Sequence, residues 1–172
     1  TAHGLLYVKN VSVSDVFTLA IDPATGEAVG KPEQIRYPYT GRNDDATWSP
    51  DGKSLAFVSA PKQNERRLVV MPADGGTPRE FPIPTTRYQS YRLWDVRWLP
   101  DGSGIGFSGL DDKERHVMFR LTLATGQWTT WPLPVHYWTR TTWTGADAIV
   151  YAARGESRQL IQYDLSTGQG RP

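Results

Sequence analysis

The stretch Ala46-Thr47-Trp48-Ser49-Pro50-Asp51-Gly52-Lys53-Ser54-Leu55-Ala56-Phe57 decides how the whole chain is read. Proline presets one backbone angle and glycine accepts a positive one, so Ser49 to Gly52 is a tight turn. The tryptophan before it and the apolar run after it then become two antiparallel strands. Fifty positions later the pattern returns as Val96-Arg97-Trp98-Leu99-Pro100-Asp101-Gly102-Ser103-Gly104-Ile105-Gly106-Phe107. A weaker third copy runs from Thr141 to Tyr151, keeping Trp143 and the apolar strand but losing the proline and shifting the aspartate.

A second element recurs between these copies, an alternating strand that ends in a glycine turn. It comprises Val16 to Asp22, Leu68 to Met71, Val117 to Leu121 and Leu160 to Asp164, with turn glycines Gly26, Gly76, Gly126 and Gly168. Short extended pieces follow at Gln34 to Tyr37, Arg79 to Ile83 and Gln127 to Leu133. No segment shows the i, i+3, i+4 apolar period of an amphipathic helix. Four antiparallel strands repeated every 40–50 residues or so is the pattern of a β-propeller blade. Central strands such as Leu55-Ala56-Phe57-Val58 are apolar on both faces, as packing between two neighbouring blades requires. The expected fold is therefore all-β: a propeller of about four four-stranded antiparallel blades, at approximately 4–38, 44–84, 94–133 and 139–168. The first blade begins at its second strand, Leu5 to Val8, and the last stops after its third, at Leu165. Both ends are thus expected to be incomplete and the propeller partial, with open edges that invite self-association.

Composition narrows the chemistry. The chain has 172 residues, 38% of them hydrophobic, with 19 basic and 18 acidic side chains and no cysteine. That length buries roughly 70% of its unfolded surface, enough for one core without staples. Thiol catalysis and cysteine-ligated metals are excluded. A net charge of +1, with arginines dispersed among acids, makes no field for nucleic acid. No apolar run is long enough to insert in a membrane, and residues 1–20 lack a signal-peptide pattern. A chain starting at Thr1 reads as a mature product, a trimmed chain or a piece of a longer one.

The turn Trp48-Ser49-Pro50-Asp51-Gly52-Lys53-Ser54-Leu55-Ala56-Phe57 and its echo at 98–107 closely resemble the repeat of TolB-type, WD40-like propellers, and the resemblance covers nearly the whole chain. It implies a propeller of about six or more blades when complete. It also implies a bacterial protein in a periplasmic or other extracytoplasmic setting that binds protein partners. Some propellers of this kind sit beside hydrolase or protease domains, and others beside bacterial regulators and kinases.

Strand order puts the loops between second and third strands at the same end as the linkers between blades. Those linkers, at 37–45, 85–95 and 134–140, gather Tyr39, Arg42, Asp45, Arg87, Tyr88, Tyr91, Arg92, Trp94, Asp95, His136, Tyr137, Trp138 and Arg140. Tyr, Trp and Arg dominate binding hot spots because they bury much area at low entropic cost. The competing reading is that the aromatics merely cap the space between blades. Asp45, Asp95 and Arg140 stand three residues before the repeat tryptophans, at the channel end of each first strand. Such charges could hold a cationic group, or pair with one another. The opposite end carries short polar turns. Gly104 to Gly109 fits G-x-G-x-x-G, but the repeat places it inside a strand rather than before a helix, so small residues for close packing explain it better. Ser108 lacks the final glycine of a nucleophile elbow. His3, His116 and His136 share no metal-binding spacing, and the charged run 111–115 reads as a solvated loop tip.

The expected function is a non-catalytic protein- or peptide-binding module using the aromatic and arginine-rich linker face, with neither cofactor nor metal. The alternative is the propeller portion of a larger hydrolase or protease, or of a bacterial regulator or kinase. An independent enzyme using Asp45 and Asp95 as a carboxylate pair ranks third, since repeat equivalence already explains their recurrence.

Overall fold

A computed structural model describes residues 14–39, 43–62, 65–84, 93–111, 113–133, 141–153 and 159–172. These residues form strands joined by turns, with no helix among them. The first sheet pairs β1 (Phe17–Ile21) with β2 (Ala28–Gln34). The second runs β3 (Asn43–Trp48), β4 (Ser54–Lys62), β5 (Glu65–Pro72), β6 (Arg79–Pro82) in consecutive antiparallel order. The third has β7 (Leu93–Trp98), β8 (Gly104–Leu110), β9 (His116–Thr122) and β10 (Gln127–Pro132). The fourth has β11 (Thr141–Trp143), β12 (Ala148–Ala153), β13 (Gln159–Asp164) and β14 (Gln169–Arg171). Each sheet is a blade whose strands follow one another from the channel outward.

The described strands fall as two, four, four and four, which differs from the sequence expectation at the fourth blade. Leu5 to Val8 lies outside the described residues. The fourth blade does not stop at Leu165: β14 pairs with β13 through Gln162↔Arg171, Tyr163↔Gly170 and Asp164↔Gln169 and completes it. Gln169-Gly170-Arg171 carries no apolar signal because an outermost strand is exposed throughout. For the same reason the outer strand of the first blade is Ala28–Gln34 rather than Gln34 to Tyr37. An exposed edge strand tolerates Pro32, which a central ladder would not. In the second blade the left-handed turn glycine is Gly75, with φ 84°, and not Gly76.

Blades stack face to face, and the alternation of side chains along each strand sends neighbouring residues to opposite faces. Call the side toward the following blade the forward face and the other the rear face. On the second strand of the second, third and fourth blades the rear face is large and the forward face small: Leu55 and Phe57 against Ala56 and Val58, Ile105 and Phe107 against Gly106 and Ser108, Ile149 and Tyr151 against Ala148 and Val150. Ala56, Val58, Leu68 and Val70 of the second blade thus meet Ile105, Phe107, Phe119 and Leu121 of the third in one buried cluster. Leu55, Phe57, Val69 and Met71 meet Val16 and Tyr37 behind them. Leu99 and Met118 of the third blade meet Trp143, Ile149, Tyr163 and Leu165 of the fourth.

Polar stitches cross the same seams. Trp98 Nε1 donates to the Thr47 carbonyl at 3.2 Å and Arg79 Nη2 to the Leu123 carbonyl at 2.7 Å. Arg120 Nη1 donates to the Ala146 carbonyl at 2.7 Å and to Asp147 Oδ1 at 2.6 Å. Gly104 to Gly109 lies within β8, and a Cβ on Gly106 would fall inside the Trp143 indole. The glycine pattern is a packing device at the third seam.

Candidate functional site

The first strands β3, β7 and β11 lie side by side along the channel, and two carry the same irregularity. The β3–β4 ladder slips between Asp44 and Thr47, and the β7–β8 ladder between Trp94 and Arg97. The bulged residues are Asp45, with φ 53°, and Asp95, with φ 56°. A left-handed backbone is rare outside glycine, and aspartate tolerates it because its short polar side chain can bond locally. A bulge re-aims the side chain it carries.

The two equivalent aspartates meet different surroundings. Asp95 is nearly buried; its Oδ2 accepts the Thr141 backbone N–H at 3.1 Å and its Oδ1 lies 3.8 Å from the Arg97 guanidinium. It therefore ties the third blade to the fourth. Asp45 keeps an open side to solvent. Crowding by protein atoms raises its carboxyl above the ordinary aspartate value, the charges of Asp44 and Asp95 add to this, and Arg66 and Arg97 oppose it. Beside it, Asp44 accepts the Ser14 hydroxyl, and Asn43 Nδ2 donates to Asp15 Oδ1 at 2.6 Å and to the Tyr39 carbonyl at 2.7 Å.

Tyr39 stands on the same linker end, 41% exposed. Its ring meets Tyr37 edge-on at 5.6 Å between centroids, and the Arg67 guanidinium lies 5.9 Å from its centre. Tyr37 is buried, packs edge-on against Phe57 at 5.1 Å and donates its hydroxyl to Glu80 Oε1 at 2.9 Å. Burial, and then the Glu80 carboxylate, push the Tyr37 phenol far above its usual range. Arg67 pairs with both Glu65 and Glu80. An exposed aromatic on a hydrogen-bonded, ion-paired base loses little entropy when a ligand covers it. Sequence reasoning chose Tyr39 by residue type but missed Arg67, Glu65 and Glu80.

Arg42, Arg87, Tyr88, Tyr91, Arg92, His136, Tyr137, Trp138 and Arg140 lie outside the described residues. Trp94 is placed by its backbone alone, paired with Ser108. The charged run 111–115 folds onto itself: Asp111 Oδ1 accepts the Lys113 and Arg115 backbone N–H groups, each at 2.9 Å. Arg115 Nε bonds Asp111 Oδ2 at 2.8 Å. Among the described residues no three His, Cys, Asp or Glu converge to hold a metal ion, and no helix is long and apolar enough to cross a membrane.

A cleft of about 410 Å³ opens at the other end, between the turns of the second and third blades, lined by Ser49, Asp51, Arg79, Trp98 and Asp101 among others. Its two aspartates are occupied with their own turns. Ser49 Oγ and the Lys53 N–H bond Asp51 Oδ1, and the Ser103 N–H and Oγ bond Asp101 Oδ1. The Ser49 hydroxyl first, and the Ser103 backbone N–H likewise, hold these carboxyls below the usual range.

Blades ordered outward from the channel, repeated in register, are shared with solved propellers. TolB from Acinetobacter baumannii superposes with a TM-score of 0.61 at 19% identity, over 90% of this chain and 40% of that one. The fold is a TolB-like β-propeller. The β-propeller domain of the Trilobed protease from Pyrococcus furiosus, of open velcro topology, superposes with a TM-score of 0.53 at 13% identity, over 90% of this chain and 48% of that one. In sequence, 82 residues are 33% identical to the uncharacterized peptidase YuxL of Bacillus subtilis strain 168, covering 43% of this chain and 12% of YuxL. No family model matches the chain. The chain thus spans less than half the length of each of these proteins.

Proposed function

We propose that this chain is a non-catalytic module that binds protein or peptide through the linker end of the propeller. The observation that carries the reading is Tyr39, exposed yet held by Tyr37, Arg67 and the Asn43 amide, next to the acidic bulge at Asp45. A preorganised aromatic beside a carboxylate suits a peptide, which offers apolar side chains together with cationic groups. The sequence holds the same residue types in the linkers at 85–95 and 134–140, as Tyr88, Tyr91, Trp94, Tyr137 and Trp138. Binding of a randomised peptide array by the chain tests this. Replacing Tyr39, Tyr91 and Tyr137 together by alanine should abolish binding with the far-ultraviolet circular dichroism unchanged, and binding that survives the triple change removes the proposal.

A second reading rests on the 33% identity with YuxL, a protein named as a peptidase. Here the same binding face would receive peptide on behalf of a hydrolytic domain, and this chain would be the propeller portion of a peptidase. An immunoblot of the source cells with an antibody to this chain decides between them: a band near the 19.3 kDa of the chain favours the free module, a much larger one the peptidase.

A further inference from the structure

Two successive seams treat one position differently. In the ladder of the second blade Val70 pairs with Ala56, and in that of the third Arg120 pairs with Gly106, so Val70 and Arg120 are register equivalents on the forward face. Between the third and fourth blades the seam holds the Arg120 guanidinium. It lies 4.8 Å from the centre of the Trp131 ring and donates to the Ala146 carbonyl at 2.7 Å and to Asp147 Oδ1 at 2.6 Å. A carboxylate in the turn of one blade thus neutralises an arginine of the blade before it.

Between the second and third blades that arginine is replaced by the short, apolar Val70. The cleft of about 410 Å³ opens there, bounded by Val70, Trp98 and the turn aspartates Asp51 and Asp101 among others. Both of its walls belong to four-stranded blades within the chain. Arg79 also bounds it, but stands on the outer strand β6, where the third blade has Thr129. Its guanidinium is engaged with the Leu123 carbonyl at 2.7 Å and lies 5.0 Å from the centre of the Phe81 ring. The turns use one oxygen of each aspartate, Oδ1, through Ser49 and Lys53 in one and Ser103 in the other. Among the described residues neither Oδ2 has a donor, and neither carboxylate has an ion-pair partner.

We infer that this cleft takes an arginine side chain from a bound peptide. The third seam is the template: a guanidinium on the forward face, beside an aromatic ring, paired with a carboxylate of the following turn. In the cleft Asp101 is that carboxylate, three residues after its repeat tryptophan as Asp147 is four after its own. Trp98 offers the ring and Asp51 a second acceptor. A guanidinium suits such a site better than an ammonium, because its planar fork bonds two oxygens and stacks on a ring at once. The site lies at the opposite end of the propeller from Tyr39, so the two stand or fall separately.

Titration of the 172-residue chain with N-acetyl-arginine amide, followed by ¹H–¹⁵N NMR, tests this, since the guanidinium is the only charge on that probe. The amide signals of Asp51, Val70 and Gly102 should shift saturably. The neutral isostere N-acetyl-citrulline amide should leave them in place. Asp101→Asn keeps the Oδ1 that its turn uses and should raise the dissociation constant by about tenfold, through loss of a charge-assisted contact. Val70→Arg, which builds the arginine of the third seam into the second, should abolish the response; Val70 is buried, so if that chain does not fold the Asp101 variant decides. Absence of saturable shifts, equal shifts with the citrulline amide, or an Asp101→Asn dissociation constant equal to that of the wild type overturns the inference. Shifts confined to the surroundings of Tyr39 overturn it too, since the arginine would then be held by the linker end.

Discussion

Phe119 and Leu19 occupy the same register position in two blades, and their circumstances are opposite. Phe119 is 1% exposed, stacked on Phe107 at 5.0 Å and pressed against the forward face of the second blade. Leu19 stands at the same register and is 40% exposed. The local sequence logic is shared, so the difference belongs to the neighbour rather than to the strand. A propeller position becomes core only when the preceding blade supplies its small side. The largest effect expected follows directly. Phe119→Ala should cost about 3–5 kcal/mol, through lost burial and a cavity that rigid strands cannot close. Leu19→Ala should stay within about 0.5 kcal/mol for the monomer. Urea unfolding of the two variants at low protein concentration makes the comparison, and a large loss at Leu19 would mean that its face is already covered within one chain.

A smaller change probes the seam from its small side. Gly106→Ala adds one methyl group where the Trp143 indole already lies. Neither partner yields easily: Gly106 is in the middle of β8, paired with Arg120 on one side and Arg97 on the other, and Trp143 is buried. Overpacking of this kind costs about 1–3 kcal/mol. The equivalent change on the fourth blade, Val150→Ile, should be nearly silent in the monomer. Equal costs at the two positions in urea unfolding would contradict the assignment of small residues to the seam.

How much of this was readable in advance depends on whether the cause is local. Ser49-Pro50-Asp51-Gly52 makes its turn from its own four residues and recurs in register, so blade type and strand order were legible. The repeat spacing also singled out Asp45 and Asp95 as equivalent. Their left-handed bulges were not legible, because the ladder slip depends on how β3 and β7 pair with their neighbours. The support of Tyr39 was hidden for a related reason. Arg67 and Glu80 meet because β5 and β6 pair Val69 with Glu80 and Arg67 with Pro82, a register that sequence spacing does not encode. Strand β14 escaped since Gln169-Gly170-Arg171 has no buried side to give it a pattern. Asp95 shows the limit of reading by type: an acid at the channel mouth is occupied by the Thr141 backbone N–H.

Asp45 and Asp95 carry the comparison down to a single charge. The Asp45 carboxyl is raised by crowding and by two neighbouring acids, so its folded pKa lies above the unfolded one. The folded chain then holds more protons in that window, and stability falls as pH rises through it. The penalty is complete at neutral pH and absent below the unfolded aspartate range, near about pH 3.9. Asp45→Asn removes the charge while keeping a residue that tolerates the left-handed backbone. It should raise the urea midpoint slightly at pH 7 and leave it unchanged at about pH 3. Asp95→Asn should lower the midpoint at pH 7 instead, because Asp95 accepts a backbone N–H from the next blade and lies near a guanidinium, and a charged acceptor bonds more strongly than an amide oxygen. Opposite signs at two repeat-equivalent aspartates would locate the difference in the neighbouring blade. A shift of the same sign at both would mean that the shared bulge, rather than the seam, governs them.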